Sequence, residues 1–293
     1  MTGAPGFTVI TPSYAPDYEL CRDLHASVAR FAPAATKHRI IVPRRDLHKF
    51  APLAAAGAII VDVAAVMPPQ LRKALGMNAW VNIESPFPPV RGWIAQQIVK
   101  LAAAASVDSD IALIVDSDVE FIRPFDGETF APGGRLPLYR LPDAVTDSLP
   151  RHVIWHEVAR RLLGLSPEMP SSLPDYISWP CAWDPAIVRA MLRRIEDATG
   201  RAWATAIGHE LHFSEMILYG VYVEEVLGTT LTGVTVDMRC RSHPDEIALD
   251  RNGLDHFLDE VAETDVAVMV SAKSGTALVV RRDAMRRFAG HLG

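Results

Sequence analysis

Two carboxylates stand two residues apart at the end of an apolar run. Ile111-Ala112-Leu113-Ile114-Val115 is followed at once by Asp116-Ser117-Asp118. On extended backbone, residues i and i+2 point to the same side. Carboxylates placed together repel one another unless a cation lies between them. Mg²⁺ and Mn²⁺ take oxygen ligands, commonly one or two carboxylates with substrate phosphates completing the shell. The pair therefore suits a divalent ion that also grips a diphosphate. The plainer alternative is a solvated turn whose acids cap the next segment. The apolar strand before the pair, with Val119, Phe121 and Ile122 after it, favours the first reading.

Other charged residues stand where their surroundings ask for a partner. Arg91 opens a helical stretch, where a cation opposes the helix dipole, and Lys100 sits inside a mostly apolar part of the same stretch. Both make sense against an anion such as a diphosphate; snorkelling from the surface is the alternative. Glu215 follows Ser214 at a helix start, where serine caps and an acid favours the dipole. That structural role is sufficient in itself. A general base is the functional alternative.

These groups need a scaffold, and the apolar pattern supplies one. Short apolar runs at 7–11, 39–42, 58–63 and 111–115 alternate with helical patterns at 16–31, 47–55 and 90–106. Such alternation predicts an α/β fold with a mostly parallel sheet covered on both faces. Ligands of these sheets bind at the carboxyl ends of the strands, where the two aspartates stand. Residues 67–89 hold five prolines and no clean period, and read as one long loop. After about residue 126 the pattern is less regular. Helices are predicted at 150–164, 185–200 and 214–227, and strands at 267–272 and 276–280.

Composition removes several functional classes. The chain has 293 residues, 49% hydrophobic and 22% charged, with 29 basic and 35 acidic residues and a net charge of −6. That balance argues against a dedicated nucleic-acid binder. Cys21, Cys181 and Cys240 are far apart, without the spacing of a disulfide framework or zinc site. There is no apolar run of transmembrane length and no leader pattern at the N-terminus, so the expectation is a cytoplasmic protein. No GxGxxG follows an early strand, against a dinucleotide-dependent dehydrogenase. Thr11–Asp17 has no glycine, against a sugar-nucleotide pyrophosphorylase. A haloacid-dehalogenase-type phosphotransferase fits poorly, because the Asp-x-Asp continues as Val119-Glu120 after three earlier strands. A sugar-nucleotide-binding protein without turnover is the non-enzymatic alternative.

The apolar strand and Asp-x-Asp, in a chain opening Thr8-Val9-Ile10-Thr11-Pro12-Ser13-Tyr14, resemble the GT-A-fold glycosyltransferases. Arg91-Gly92-Trp93-Ile94-Ala95-Gln96-Gln97-Ile98-Val99-Lys100, Tyr176-Ile177-Ser178-Trp179-Pro180 and Phe213-Ser214-Glu215-Met216-Ile217-Leu218-Tyr219-Gly220 resemble one bacterial GT-A-like family, DUF6492. The resemblance implies a Rossmann-like fold in one compact domain. Residues 1–125 would form a nucleotide-sugar-binding half ending in the Asp-x-Asp, and 126–293 an α+β acceptor-binding half. It implies transfer of a sugar from a nucleotide-diphosphate donor, UDP first and GDP second, to a carbohydrate, lipid-linked or small-molecule hydroxyl acceptor. A homodimer is compatible with it.

The resemblance distributes roles over single residues of this chain. Asp116 and Asp118 would hold Mn²⁺ or Mg²⁺, with His243, or else His256, as a further ligand. Thr11, Tyr14, Asp17, Asp62 and Ser117 would contact the nucleotide, with packing the alternative for Tyr14 and strand termination for Asp62. Arg91 and Lys100 would meet the diphosphate. Glu215 would act on the acceptor hydroxyl, and Trp179 and Trp183 would shape the acceptor pocket.

Overall fold

The computed structural model describes residues 5–74, 79–230 and 232–292. Strand β1 (Phe7–Pro12) is buried along its whole length, as a central parallel strand covered on both faces must be. It leads through a short turn, with Pro16 in its first positions, into helix α1 (Tyr18–Phe31). Strand β2 (Lys37–Val42), helix α2 (Leu47–Ala55) and strand β3 (Ile59–Asp62) follow. Helix α3 (Gly92–Ala105) and strand β4 (Ile111–Ile114) complete the regular part. A later strand, β6 (Cys181–Trp183), joins the same sheet, giving the order β6-β4-β1-β2-β3. All neighbours are parallel except β6, which runs antiparallel to β4. This is the expected Rossmann-like α/β arrangement with a mostly parallel sheet.

Alternation along the strands sends side chains to two cores. Ile10, Ile41 and Ile114 pack with Ile94, Ile98 and Leu101 of α3 and with Val188, Met191 and Ile195 of helix α5 (Pro185–Thr199). Val9, Leu113 and Val115 face the other way, onto Leu24 and Val28 of α1. The register pairs Ile10 with Ile114 and Thr11 with Ile40. The carboxyl ends of β1, β2 and β4 therefore come out at one edge, and Tyr14, Asp17 and Asp116 emerge there together.

A second sheet secures that edge. Strand β5 (Val119–Phe121) pairs antiparallel with β8 (Ala267–Val270), which runs parallel to β7 (Cys240–His243). Met269 lies opposite Val119, so the residues after β8 reach Asp118. Helices α4 (Pro150–Leu162), α6 (Glu215–Val221), α7 (Arg251–Asp259) and α8 (Leu278–Leu292) complete the second half. The core of Ile10 and Ile98 continues into this half through Trp183, Phe213 and Ile217.

Three expectations change. Residues 276–280 are not a strand: Thr276 and Ala277 precede α8, and from Leu278 the run is helical, with Val280, Ala284 and Phe288 at helical spacing packed on Leu254 and Phe257. The predicted helix 214–227 is α-helical only to Val221 and π-helical over Tyr222–Leu227. Within the expected loop, Leu71–Lys73 and Trp80–Asn82 form a short antiparallel pair. Among the described residues, no helix is long and apolar enough to cross a membrane.

Candidate active site

The site starts from an ammonium group in the core. Lys100 Nζ lies 2.9 Å from Asp116 Oδ1 and 3.2 Å from Glu215 Oε1, and the Lys100 and Glu215 side chains are only 7% and 6% exposed. Burial pushes the Lys100 pKa down, but the two carboxylates more than offset this and hold it above its ordinary value. The ammonium stays charged. Asp116 Oδ1 is buried and makes no well-directed hydrogen bond. Gln97, one turn before Lys100, accepts the Glu215 backbone N–H on Oε1 at 2.8 Å. Ser214 caps α6 by accepting from the Ile217 amide. Helix α3 thus positions Glu215 twice, by its lysine and by its glutamine.

Asp118 is held from the second sheet. Its Oδ2 accepts the Ala272 N–H at 2.8 Å. Arg281, buried on α8, donates to the carbonyls of Asp118 and Val270. Burial raises the Asp118 pKa, and the nearby Asp116 charge raises it further. Asp17, at the exit of β1, is raised to about 6 by burial and then by Asp118 and Asp116. Three carboxylates therefore share one electrostatic neighbourhood, and Lys100 touches only one of them.

Such a cluster fits an added cation. Asp116 and Asp118 would supply carboxylate oxygens, leaving the remaining positions to phosphate and water, as Mg²⁺ and Mn²⁺ prefer. Among the described residues, no three His, Cys, Asp or Glu side chains converge on a common point.

The structure brings together Asp116, Asp118, Lys100 and Glu215, with Asp17 beside them. Tyr14 stands next to Asp17 and is 45% exposed; the Asp17 charge, then burial, raises its pKa. Arg91 is exposed at the start of α3 and forms no ion pair among the described residues. The Lys100 ammonium is paired with two carboxylates, Asp116 and Glu215.

Other expected residues turn elsewhere. Thr11 is buried, and its hydroxyl meets His38 Nε2 at 3.0 Å. Ser117 points inward and donates to Ser13 Oγ at 2.9 Å, the opposite side from its flanking aspartates. Asp62 accepts the Ala64 amide and caps a short helical turn. The His243 ring is held in its own loop, Nε2 donating to the Ile247 carbonyl at 2.8 Å and Nδ1 facing Asp245 at 3.8 Å. His256 is exposed on α7 beside Glu260. Trp183 is 1% exposed and belongs to the core, and Trp179 packs against the α1-side core.

Gln97, Arg281 and the Ala272 amide were not expected in the site. Gln97 had a signal, since it shares a helical face with Lys100. Arg281 had one only in a helical reading of its segment, and the amide had none. Two cavities lie outside the acid cluster. One, of about 240 Å³, lies between β6 residues Cys181 and Trp183 and residues Tyr139, Thr235 and Arg239. The other, of about 690 Å³, is at the amino ends of β1 and β2, away from the ligand-binding edge.

Residues 8–283 match the model of a family of unknown function, DUF6492, and the chain belongs to that family. No curated protein matches the chain. Among solved structures, mannosyl-3-phosphoglycerate synthase from Rubrobacter xylanophilus is similar over 43% of this chain, at 15% identity and a TM-score of 0.25. The match spans 33% of that protein's length.

Proposed function

We propose that this member of the DUF6492 family is a glycosyltransferase that moves a sugar from a nucleotide-diphosphate donor, UDP first and GDP second, to a hydroxyl acceptor. One observation carries the reading: Glu215 and Asp116 share the buried Lys100 ammonium, with the Asp118 carboxylate beside them, at the carboxyl edge of a parallel sheet. A candidate base and a candidate diphosphate anchor are thereby held at a fixed separation.

Asp116 and Asp118 would hold Mn²⁺ or Mg²⁺ against the donor diphosphate. Bound there, such an ion would neutralise charge that grows on the leaving group. Tyr14 and Asp17 border the space for the nucleoside, and Arg91, which forms no ion pair among the described residues, is the cation for the diphosphate rim. Glu215 takes the proton of the acceptor hydroxyl as its oxygen bonds to the sugar carbon and the carbon–diphosphate bond breaks. Lys100 holds the Glu215 carboxylate in place, and Gln97 fixes the backbone that carries it.

The test is thermal stability with UDP-, GDP-, dTDP- and CDP-sugars, with and without Mn²⁺, because a ligand of the folded state raises the midpoint. A metal-dependent shift for one nucleotide is expected, and Asp118→Asn should remove it. Glu215→Gln should lower turnover by about 10²–10⁴-fold and leave donor binding intact. Absence of a shift with every nucleotide would overturn the transferase reading.

A further inference from the structure

The cavity of about 240 Å³ lies along the outer side of β6, the strand that ends the sheet. Two of its walls lead to the acid cluster. Cys181 pairs with Ile114, two residues before Asp116. Met216 follows Glu215 in the first turn of α6. Burial pushes the Cys181 thiol up to about 12, and the Glu215 charge adds to the rise against a hydrogen bond from Ser178. The cavity therefore adjoins Glu215 on the side of β4 away from β1, whereas Tyr14 and Asp17 stand at the exit of β1.

The lining is largely aromatic. Phe130, Tyr139, Tyr176 and Tyr219 face the space. Trp183, 1% exposed, backs Tyr219 from the core, its ring 5.4 Å away and tilted by 23°. Most hydroxyls on the wall are engaged. Tyr176 donates to Glu224 at 2.7 Å, Tyr219 accepts the Asp184 N–H at 3.2 Å, and Thr129 donates to Asp126 at 3.1 Å. The Tyr139 hydroxyl has no hydrogen-bond partner among the described residues. The one charged pair on the wall is neutral as a unit, with Arg239 Nη1 3.3 Å from Asp237 Oδ2.

We infer that this cavity receives the acceptor, and that the acceptor is a small neutral aromatic alcohol with a single phenolic or benzylic ring. At about 30 Å³ per water the space equals roughly eight waters, room for one substituted ring and not for an oligosaccharide. Aromatic walls suit an aromatic ring. A buried pyranose would bring several hydroxyls, each costly without a partner, to a wall with one unengaged tyrosine hydroxyl. The paired Arg239 gives no net charge to attract a phosphate or carboxylate. The inference rests on the glycosyl-transfer reading for the acceptor role, and on the cavity alone for binding. In transfer, the acceptor oxygen bonds to the sugar carbon, its proton passes to Glu215, and the bond from that carbon to the diphosphate breaks.

The experiment titrates the full chain by calorimetry with p-cresol, tyrosol and benzyl alcohol, and with methyl glucoside and methyl mannoside. Binding of the aromatic alcohols is expected without nucleotide. Ala182→Leu, which fills the cavity from β6, should weaken it by on the order of tenfold or more. Tyr139→Phe should weaken it about fivefold, as for one lost hydrogen bond, and decides alone if Ala182→Leu does not fold. Neither variant should change the nucleotide-dependent thermal shift. Absence of aromatic-alcohol binding, or binding that neither variant alters, overturns the inference. So does binding of the glycosides in place of the aromatic alcohols. Nucleotide binding without aromatic-alcohol binding removes the cavity as acceptor site and leaves the transferase. Variant-sensitive aromatic-alcohol binding without nucleotide binding keeps the ligand class and removes the acceptor role together with the transferase.

Discussion

Two ion networks lie at opposite ends of residues 215–227, and their charge balances differ. At the π-helical end, Glu224 accepts the Arg140 Nε–H and the Tyr176 hydroxyl, each at 2.7 Å, and Glu225 pairs with Arg160. Each acid there has its own cation. The hydrogen bonds from Arg140 and Tyr176 outweigh burial and hold Glu224 below its ordinary pKa. At the amino end, Lys100 alone serves both Glu215 and Asp116, while burial and then the Asp116 charge raise Asp118, and burial and then the Asp118 and Asp116 charges raise Asp17. A balanced network closes a structure. An acid-rich one stores repulsion that a bound cation and its ligand relieve. On the proposed reading, the contrast sets the acid-rich amino end, where a ligand would bind, apart from the π-helical end, which acts as a clasp.

Removing the shared cation should break the contrast most strongly. Lys100→Met leaves two carboxylates facing each other in the core. It should lower stability by about 3–5 kcal/mol and the melting midpoint by on the order of 10 °C, with loss of turnover. An unchanged midpoint would mean that the ammonium is not the link between the two acids. Next is the clasp itself. A Cβ on Gly220 would lie 2.1 Å from the Tyr176 ring, so Gly220→Ala must displace the tyrosine that bonds Glu224. Denaturant unfolding should show a loss of about 1–3 kcal/mol. Glu224→Gln should cost about 1 kcal/mol, since the pair is partly solvated, and leave donor binding unaltered. If it abolished nucleotide-dependent stabilisation, the clasp would belong to the site.

The smallest effect sharpens the account of the acid cluster. The Asp17 pKa of about 6 lies above its free value near 3.9. The folded state therefore holds this proton more tightly than the unfolded chain. Wild-type stability should decline relative to Asp17→Asn as pH rises from about 4 to about 6, and run level above that. Melting curves of both proteins across this range would show it, and parallel profiles would remove the repulsion argument.

Individual residues show how far local pattern carries. Asp116 and Asp118 were legible because a buried strand that ends in two acids leaves them little else to do. Lys100 was legible as an anomaly in an apolar helix, but its partner was not, since Glu215 is 115 positions away and only packing joins them. Thr11 and Ser117 share a loop with the site, yet face inward toward His38 and Ser13. Trp183, read as a wall of the acceptor pocket, is buried in the core, and Trp93, beside buried Ile94 on α3, is 44% exposed. Helical periodicity names a face but does not say whether a neighbouring element covers it.

The pattern of residues alone settled the alternating strands and helices, the parallel sheet, and the edge at which Asp116 and Asp118 stand. These follow from apolar spacing and strand geometry, which act over a few residues. The tertiary structure decided which acids share a cation, which hydroxyls are already bonded, and which tryptophan meets solvent. Each depends on atoms brought within a few ångströms from distant parts of the chain, and Coulombic and desolvation energies vary steeply over that distance.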